Sequence, residues 1–375
     1  MKIIHLIPGI PFSGGAENIV RDLCRSIDTA RFKLEVWYWN DNDDLAPDIL
    51  AAGALPVKLP LKKIVSPASV FYIARLLKAR KAGLIHTHFF DADLLGFAAS
   101  RLAGTPMITH VHSHPFLSCA RHSWRYRWMG QLGIARIVCV SGYVRDHVKG
   151  VTGLGAEKFE VIPNGINGEV FKDQKDAAAR NALRASLGLA EDDLVIGNVS
   201  RLIEDKGHAV LLRALADVMA VTPQVKGLII GDGVLAANLR ALARDLGIAS
   251  KVVFAGRRHD VPELLGCMDL FVCPTYREAF GLSVLEAMSA GKPVIASNDA
   301  GMVEIIRDGL DGILLKPGDS TILSKAMLAL INDPPLMRRM ALSAQERSGA
   351  FTLQAMAGRF ESLYERVGKK DGCDG

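Results

Sequence analysis

At 375 residues with 49% hydrophobic content, the chain is long enough for two domains of ordinary size and has ample core material. Its formal charge of +5 is modest and its acids and bases are mixed, which disfavours a dedicated nucleic-acid binder and suits a cleft for anionic substrates. No apolar run reaches the roughly 18 residues that span a bilayer, no signal-peptide pattern opens the chain, and the 6 cysteines show no C-x-x-C spacing, so buried thiols of a cytosolic protein are expected.

Lys2 to Ile7 predicts a first strand, then a loop ending in Gly14-Gly15, then a helix opening near Glu17. Paired glycines allow close backbone approach to a ligand, although such a pair often marks only a turn. The order strand, Gly-Gly, helix favours the ligand. No G-x-G-x-x-G follows the strand, so this is not a dinucleotide fingerprint. Strands are predicted next at Leu34–Trp39, Leu84–His88, Met107–His112, Arg136–Val140 and Phe159–Ile162, with helices at Ser69–Lys81 and Asp91–Leu102. Alternation of this kind means a parallel sheet with helices on both faces.

Asp91-Ala92-Asp93 spells D-x-D, but here it opens a helix, where acids suit the dipole, and that reading is preferred to a metal signature. His86, His88, His110, His112 and His114 crowd two strand ends. Residues two apart on a strand point the same way, so a metal site has to be weighed; without a zinc signature it is the lesser reading. Ser118–Met129, with Arg121, Trp124, Arg125, Arg127 and Trp128, and the basic segment Lys62–Lys81 are open to two readings. Either is a surface for anionic lipid or a solvated helix face.

Pro163-Asn164-Gly165-Ile166 is a turn-rich break, after which βα units resume with helix Ala177–Leu187, strand Leu194–Val199 and helix His208–Met219. Strand Gly227–Ile230 runs into Gly231-Asp232-Gly233, and Phe271–Pro274 reads as the end of a buried strand. Tyr276–Gly281 is then a loop and Ser283–Ala290 a helix closed by Gly291. In a doubly wound sheet such a strand-to-helix loop lies on the ligand edge, where the N–H groups of Gly281 and Leu282 would face an anion. Glu278 and Glu286 flank this cradle. Carboxylates repel phosphate, so these two are better suited to accept hydrogen bonds from hydroxyls on either side of it. Glu286 has a competing structural reading, since Ser283-Val284-Leu285-Glu286 is also a capping box. Ser200–Gly207, with Arg201 and Lys206, leaves the same sheet edge.

Glu278-Ala-Phe-Gly-Leu-Ser-Val-Leu-Glu286 and the residues to Ala296 resemble the E-x7-E region of retaining glycosyltransferases of the GT-B fold, family 4. The resemblance covers nearly the whole chain and is most specific between Val199 and Ala296. It implies an α/β fold of two Rossmann-like doubly wound domains facing across a cleft. Residues 1–168 would form the acceptor-side domain, 169–350 the nucleotide-sugar domain, and 351–375 a terminal helix crossing back to the first. By resemblance, Arg201 and Lys206 form a diphosphate clamp, Glu278 contacts the donor sugar and Glu286 the nucleotide ribose. His112 contacts the transferred sugar, with His114 as the alternative aligned residue. Gly14, Gly15, Gly231, Gly233, Arg257, Phe280, Gly281 and Leu282 complete the donor side. The family's G-G-x-x-E run is replaced here by Asp299-Ala300-Gly301-Met302-Val303-Glu304, which leaves the role of Glu304 open.

The implied function is a hexosyl transfer from a UDP- or GDP-sugar co-substrate to a glycan or lipid-linked hydroxyl acceptor. No metal, no cofactor and no nucleic acid are expected. The expected place is the cytoplasm, with weak contact to anionic membrane. Alternatives are a nucleotide-sugar epimerase of the same fold and a catalytically silent partner subunit.

Overall fold

The computed structural model describes residues 1–12, 15–61, 64–113, 120–172, 176–299 and 301–368. The chain divides into two compact units, Met1–Gly165 with the chain from Leu353 onward, and Ile166–Thr352.

The first unit begins β1 (Lys2–Leu6), α1 (Gly15–Ser26), β2 (Lys33–Tyr38), α2 (Ala46–Ala51), β3 (Leu55–Lys58) and α3 (Pro67–Ala79). It continues β4 (Leu84–His88), α4 (Phe90–Ala103), β5 (Met107–Val111), α5 (Ala120–Leu132), β6 (Ile134–Cys139), α6 (Gly142–Thr152) and β7 (Phe159–Val161). Its seven strands are parallel, in the order β3-β2-β1-β4-β5-β6-β7. Chain order therefore reverses between β1 and β4. The strands are buried on both faces because helices cover both, so β1 and β4 lack the apolar–polar alternation of a half-exposed strand. The short strand β3 carries Pro56 and escapes notice in the sequence; as the edge strand it needs no full ladder of donors.

On β4 and β5 the two faces carry different chemistry. Thr87 and Thr109 each donate a hydrogen bond of 2.5 Å to Oδ1 of Asp93, and Tyr126 donates to its Oδ2. Asp93 does lie in the first turn of α4, as expected, but it is fully buried and serves as the acceptor for three hydroxyls. The intervening residues, His86 and His110, face the other way, each 5.3 Å from the ring of Phe360 between centroids. Phe360 belongs to the last helix, α16 (Leu353–Gly368), which packs on α1 and β4. Leu353, Phe360, Leu363 and Tyr364 form its buried face.

The second unit runs α7 (Gly168–Lys172), α8 (Ala177–Ser186), β8 (Leu194–Val199), α9 (His208–Val221), β9 (Val225–Ile230), α10 (Ala236–Asp245) and β10 (Val252–Gly256). It ends α11 (Val261–Gly266), β11 (Leu270–Cys273), α12 (Leu282–Ser289), β12 (Val294–Ser297), α13 (Met302–Ile305), β13 (Ile313–Leu315), α14 (Ser320–Ile331) and α15 (Pro334–Ser348). Its parallel sheet has the order β10-β9-β8-β11-β12-β13 and reverses between β8 and β11. Ile196, Leu211, Leu215, Leu228, Val272 and Ile295 are among the residues that fill it. The described cysteines, Cys24, Cys139, Cys267 and Cys273, are free and buried, and burial pushes Cys24, Cys139 and Cys273 up to about 12, so they act as apolar filler. No helix among the described residues is long and apolar enough to cross a membrane.

Candidate active site

In an open doubly wound sheet, ligands bind outside the carboxyl ends of the strands where the order reverses. In the second unit that point lies between β8 and β11. The loop after β8 is Ser200–Gly207, and the loop after β11 is Pro274–Gly281. Lys206 and Glu278, picked from separate motifs 72 positions apart, meet here: Lys206 Nζ donates to Glu278 Oε2. Burial works against the Lys206 ammonium, but the Glu278 carboxylate outweighs it, so its pKa stands above the ordinary lysine value. Arg201 is exposed at the start of the same loop, and its charge also bears on Lys206.

The two loops are fastened by their backbones. Thr275 Oγ1 and the Tyr276 amide donate to the Asp205 carbonyl at 2.8 and 2.7 Å. The Glu278 amide donates to Asp299 Oδ2 at 2.9 Å, and the Gly301 amide to the Glu278 carbonyl at 3.2 Å. Thr275 and Asp299 were not singled out in the sequence. No sequence signal marks Thr275, because its partner is a backbone carbonyl 70 positions away and leaves no trace in a local pattern.

Gly207 and Gly231 are required by contact. Gly207 has φ 68°, and a Cβ there would stand 2.0 Å from the Pro274 carbonyl oxygen. At Gly231, with φ 134°, it would stand 1.9 Å from the Ser200 carbonyl oxygen. Both let the loops approach, which a side chain would forbid. Gly233 follows, its amide 2.8 Å from Asp232 Oδ1, and Arg257 is exposed just beyond β10.

Helix α12 opens at Leu282, with Gly281 as its N-cap at φ 100°. Its first amides have no partner within the helix and carry the positive end of its dipole, beside the Lys206–Glu278 pair. This corrects the capping-box reading: Ser283 lies inside the helix and no side chain caps it. Glu286 is therefore not needed to close the N-terminus. It stands half-buried one turn into the helix. Phe280 is buried with its ring edge-on to Phe351 at 5.9 Å, so its side chain packs and only its backbone remains for a ligand. Glu304 lies on α13, and its carbonyl accepts from Arg347 at 2.8 Å.

In the first unit Gly15 is the exposed first residue of α1, while Gly14 and His114 lie outside the described residues. His112 follows β5, half-buried, with Nε2 2.9 Å from His88 Nδ1. Burial holds its pKa down to about 3, so it is neutral at physiological pH and offers one N–H and one lone pair.

Residues 13–170 match the family described as Glycosyltransferase Family 4, and residues 179–347 match Glycosyl transferases group 1. The chain is 30% identical over 306 residues to the Escherichia coli UDP-Gal:alpha-D-GlcNAc-diphosphoundecaprenol alpha-1,3-galactosyltransferase, covering 79% of this chain and 78% of that one. It is a family-4 glycosyltransferase.

Solved structures agree on the GT-B fold of this glycosyltransferase. Anabaena HepE in complex with UDP and glucose superposes with a TM-score of 0.87 at 25% identity, over 98% of this chain and 100% of that one. WaaG, a glycosyltransferase involved in lipopolysaccharide biosynthesis, superposes at 0.73 with 18% identity, over 98% and 99%, and so speaks for the fold alone. The putative glycosyltransferase EpsF of Bacillus subtilis is 28% identical over 331 residues, covering 82% of this glycosyltransferase and 83% of that protein.

Proposed function

We propose that this glycosyltransferase moves a hexose, with retention at the anomeric carbon, from a UDP-sugar to a hydroxyl of a lipid-linked or polysaccharide acceptor. The observation that carries this is the meeting of Lys206 and Glu278 at the β8/β11 reversal, beside the N-terminus of α12. The choice of UDP is supported by HepE, solved with UDP and glucose, and by the UDP-Gal-dependent relative. That relative's diphosphoundecaprenol substrate supports a lipid-linked acceptor.

As the glycosidic bond breaks, the departing diphosphate gains negative charge. Arg201, Lys206 and the amides of Gly281 and Leu282 meet it with fixed positive charge and dipoles. An ammonium has three donors, so Lys206 can keep Glu278 and still hold a phosphate oxygen. Glu278 then accepts from a sugar hydroxyl, Glu286 from the ribose, and His112, neutral, hydrogen-bonds the transferred sugar. No protein nucleophile is assigned, and the cationic clamp takes the part that a divalent ion plays elsewhere.

Exposed aromatics and bases on α3 (Phe71, Tyr72, Arg75, Lys78) and α5 (Trp124, Arg127, Trp128) suit weak contact with the anionic cytoplasmic face of the inner membrane. The test is incubation with a panel of UDP- and GDP-sugars, following donor hydrolysis and the anomeric configuration of the transfer product by NMR. An epimerised sugar from donor alone would instead indicate an isomerase, and no binding of nucleotide diphosphates a silent subunit.

A further inference from the structure

The first unit holds a concentration of chemistry of which donor binding uses only one member, His112. His5 on β1, His86 and His88 on β4, His110 on β5 and His112 just after it stand on one face of three adjacent strands, at that sheet's own order reversal. His5 pairs in register with His86, and His88 with His110. His88 is bonded at both nitrogens: Nδ1 lies 2.9 Å from His112 Nε2, and Nε2 lies 3.0 Å from His5 Nδ1.

Several other nitrogens have no partner among the described residues: both of His110, His112 Nδ1, His5 Nε2 and His86 Nε2. Each such buried orphan costs about 1–3 kcal/mol, and an aliphatic side chain would avoid it. Phe89, next after His88, adds strain, with φ 69° and ψ 154°. A ligand that took up these lone pairs would offset that cost.

One nitrogen from each of His88, His110 and His112 lies within 4.8 Å of the others. Three imidazoles on a tetrahedral zinc at 2.0–2.1 Å hold their nitrogens about 3.4 Å apart, so rotation of the rings closes the widest pair. We propose that His88, His110 and His112 bind one divalent transition-metal ion, zinc by ligand type, with His5 orienting His88 through its Nε2. His112 is half-buried where His88 and His110 are buried, and marks the side where water completes the coordination.

His5, His86 and His88 come equally close, but all three are fully buried and His86 Nδ1 is held by the Tyr364 hydroxyl at 2.9 Å, which leaves a fourth ligand no approach. Burial holds His88 and His110 well below the ordinary histidine value, as it does His112, so the ion meets neutral imidazoles. Coordination needs the lone pairs of both His88 Nδ1 and His112 Nε2, which in the free protein share one proton. That proton shifts to the other nitrogen of its own ring, and each imidazole stays neutral. The binding claim is independent of His112 contacting a sugar.

The test is titration of the full chain, stripped with EDTA, with Co²⁺. One equivalent should bind with the intense visible bands of four-coordinate cobalt, and one equivalent of Zn²⁺ should displace it. His112→Asn and His110→Gln should each weaken Co²⁺ binding at least tenfold, whereas His259→Asn, an exposed histidine of the second unit, should leave it unchanged. Absence of binding by the wild-type protein overturns the proposal, as do the weak bands of six-coordinate cobalt. So does unchanged affinity in both cluster variants, their folding checked by tryptophan fluorescence. The wild-type spectrum decides the matter even where a variant fails to fold.

Discussion

Glu278 accepts a hydrogen bond from the ammonium of Lys206, although the family resemblance gives the two residues different ligands, the sugar for one and the diphosphate for the other. The pair is part-buried, so each charge depends on its partner before any donor arrives. Lys206→Ala is therefore expected to lower kcat/KM by roughly 10²–10³, or about 3–4 kcal/mol, by removing a preorganised donor. Glu278→Ala should lower kcat far more than nucleotide affinity. The double variant should lose much less than the sum of the two, because neighbours in contact are not additive. Steady-state kinetics on the full cycle checks this, and strict additivity would count against a shared site.

Glu286→Ala separates the ribose contact from a structural role. No side chain caps α12, so this variant should keep its melting temperature and weaken UDP binding about tenfold, roughly 1.4 kcal/mol. Calorimetric titration with UDP, paired with a thermal melt, gives both numbers. A lowered melting temperature with unchanged UDP affinity would return Glu286 to the helix.

Excess EDTA should leave the wild-type transfer rate nearly unchanged, because Arg201 and Lys206 supply the positive charge that a metal ion would otherwise bring to the diphosphate. The ion proposed for His88, His110 and His112 is not asked to supply that charge. The check is the initial rate with EDTA, then with Mn²⁺ restored. Loss of activity that Mn²⁺ restores and one equivalent of Zn²⁺ does not would overturn the clamp.

Asp93 makes stability depend on pH in an uncommon direction. Burial, opposed by hydrogen bonds from Thr109, Thr87 and Tyr126 and reinforced by the charge of Asp91, raises its pKa to about 6. Between its ordinary value of 3.8 and about 6 the folded state holds a proton that the unfolded chain has released, so this group's contribution falls as pH rises. Asp93→Asn cannot titrate. Between pH 5 and 6 the stability of the wild type relative to the variant should fall by up to about 1.4 kcal/mol per pH unit. All 4 tryptophans (Trp37, Trp39, Trp124, Trp128) lie in the first unit, so denaturation followed by tryptophan fluorescence reports that unit alone.

Trp124 and Trp128 are 65% and 48% exposed on α5, and Phe71 is 65% exposed on α3, which is more aromatic surface than a solvated helix face needs. Co-sedimentation should show the protein on anionic vesicles at low salt and much less on neutral ones, each basic residue near the surface contributing about 1 kcal/mol. Replacing Trp124 and Trp128 together with alanine should lower the bound fraction severalfold. Equal partitioning to both vesicle types would remove the membrane surface.

The sequence by itself determined the alternation of strands and helices, because hydrophobic periodicity is local and survives in any context. It fixed Leu84–His88 and Leu194–Val199 to the residue, and placed Arg201, Lys206, Glu278 and Gly281 in loops after strands. It also put His86 and His88 on one face, since side chains alternate along a strand. It missed β3 and β13, of four and three residues, which are too short to show a period. Only the tertiary structure decided the order of the strands, because pairing is between residues far apart in the chain. That order sets β8 beside β11 and so brings Lys206 to Glu278. The same cause gathers Thr87, Thr109 and Tyr126 on Asp93 and lays the histidines of β1, β4 and β5 beneath α16. Each of these residues looks ordinary in its own segment. Its role comes from a neighbour that the sheet, not the sequence window, supplies.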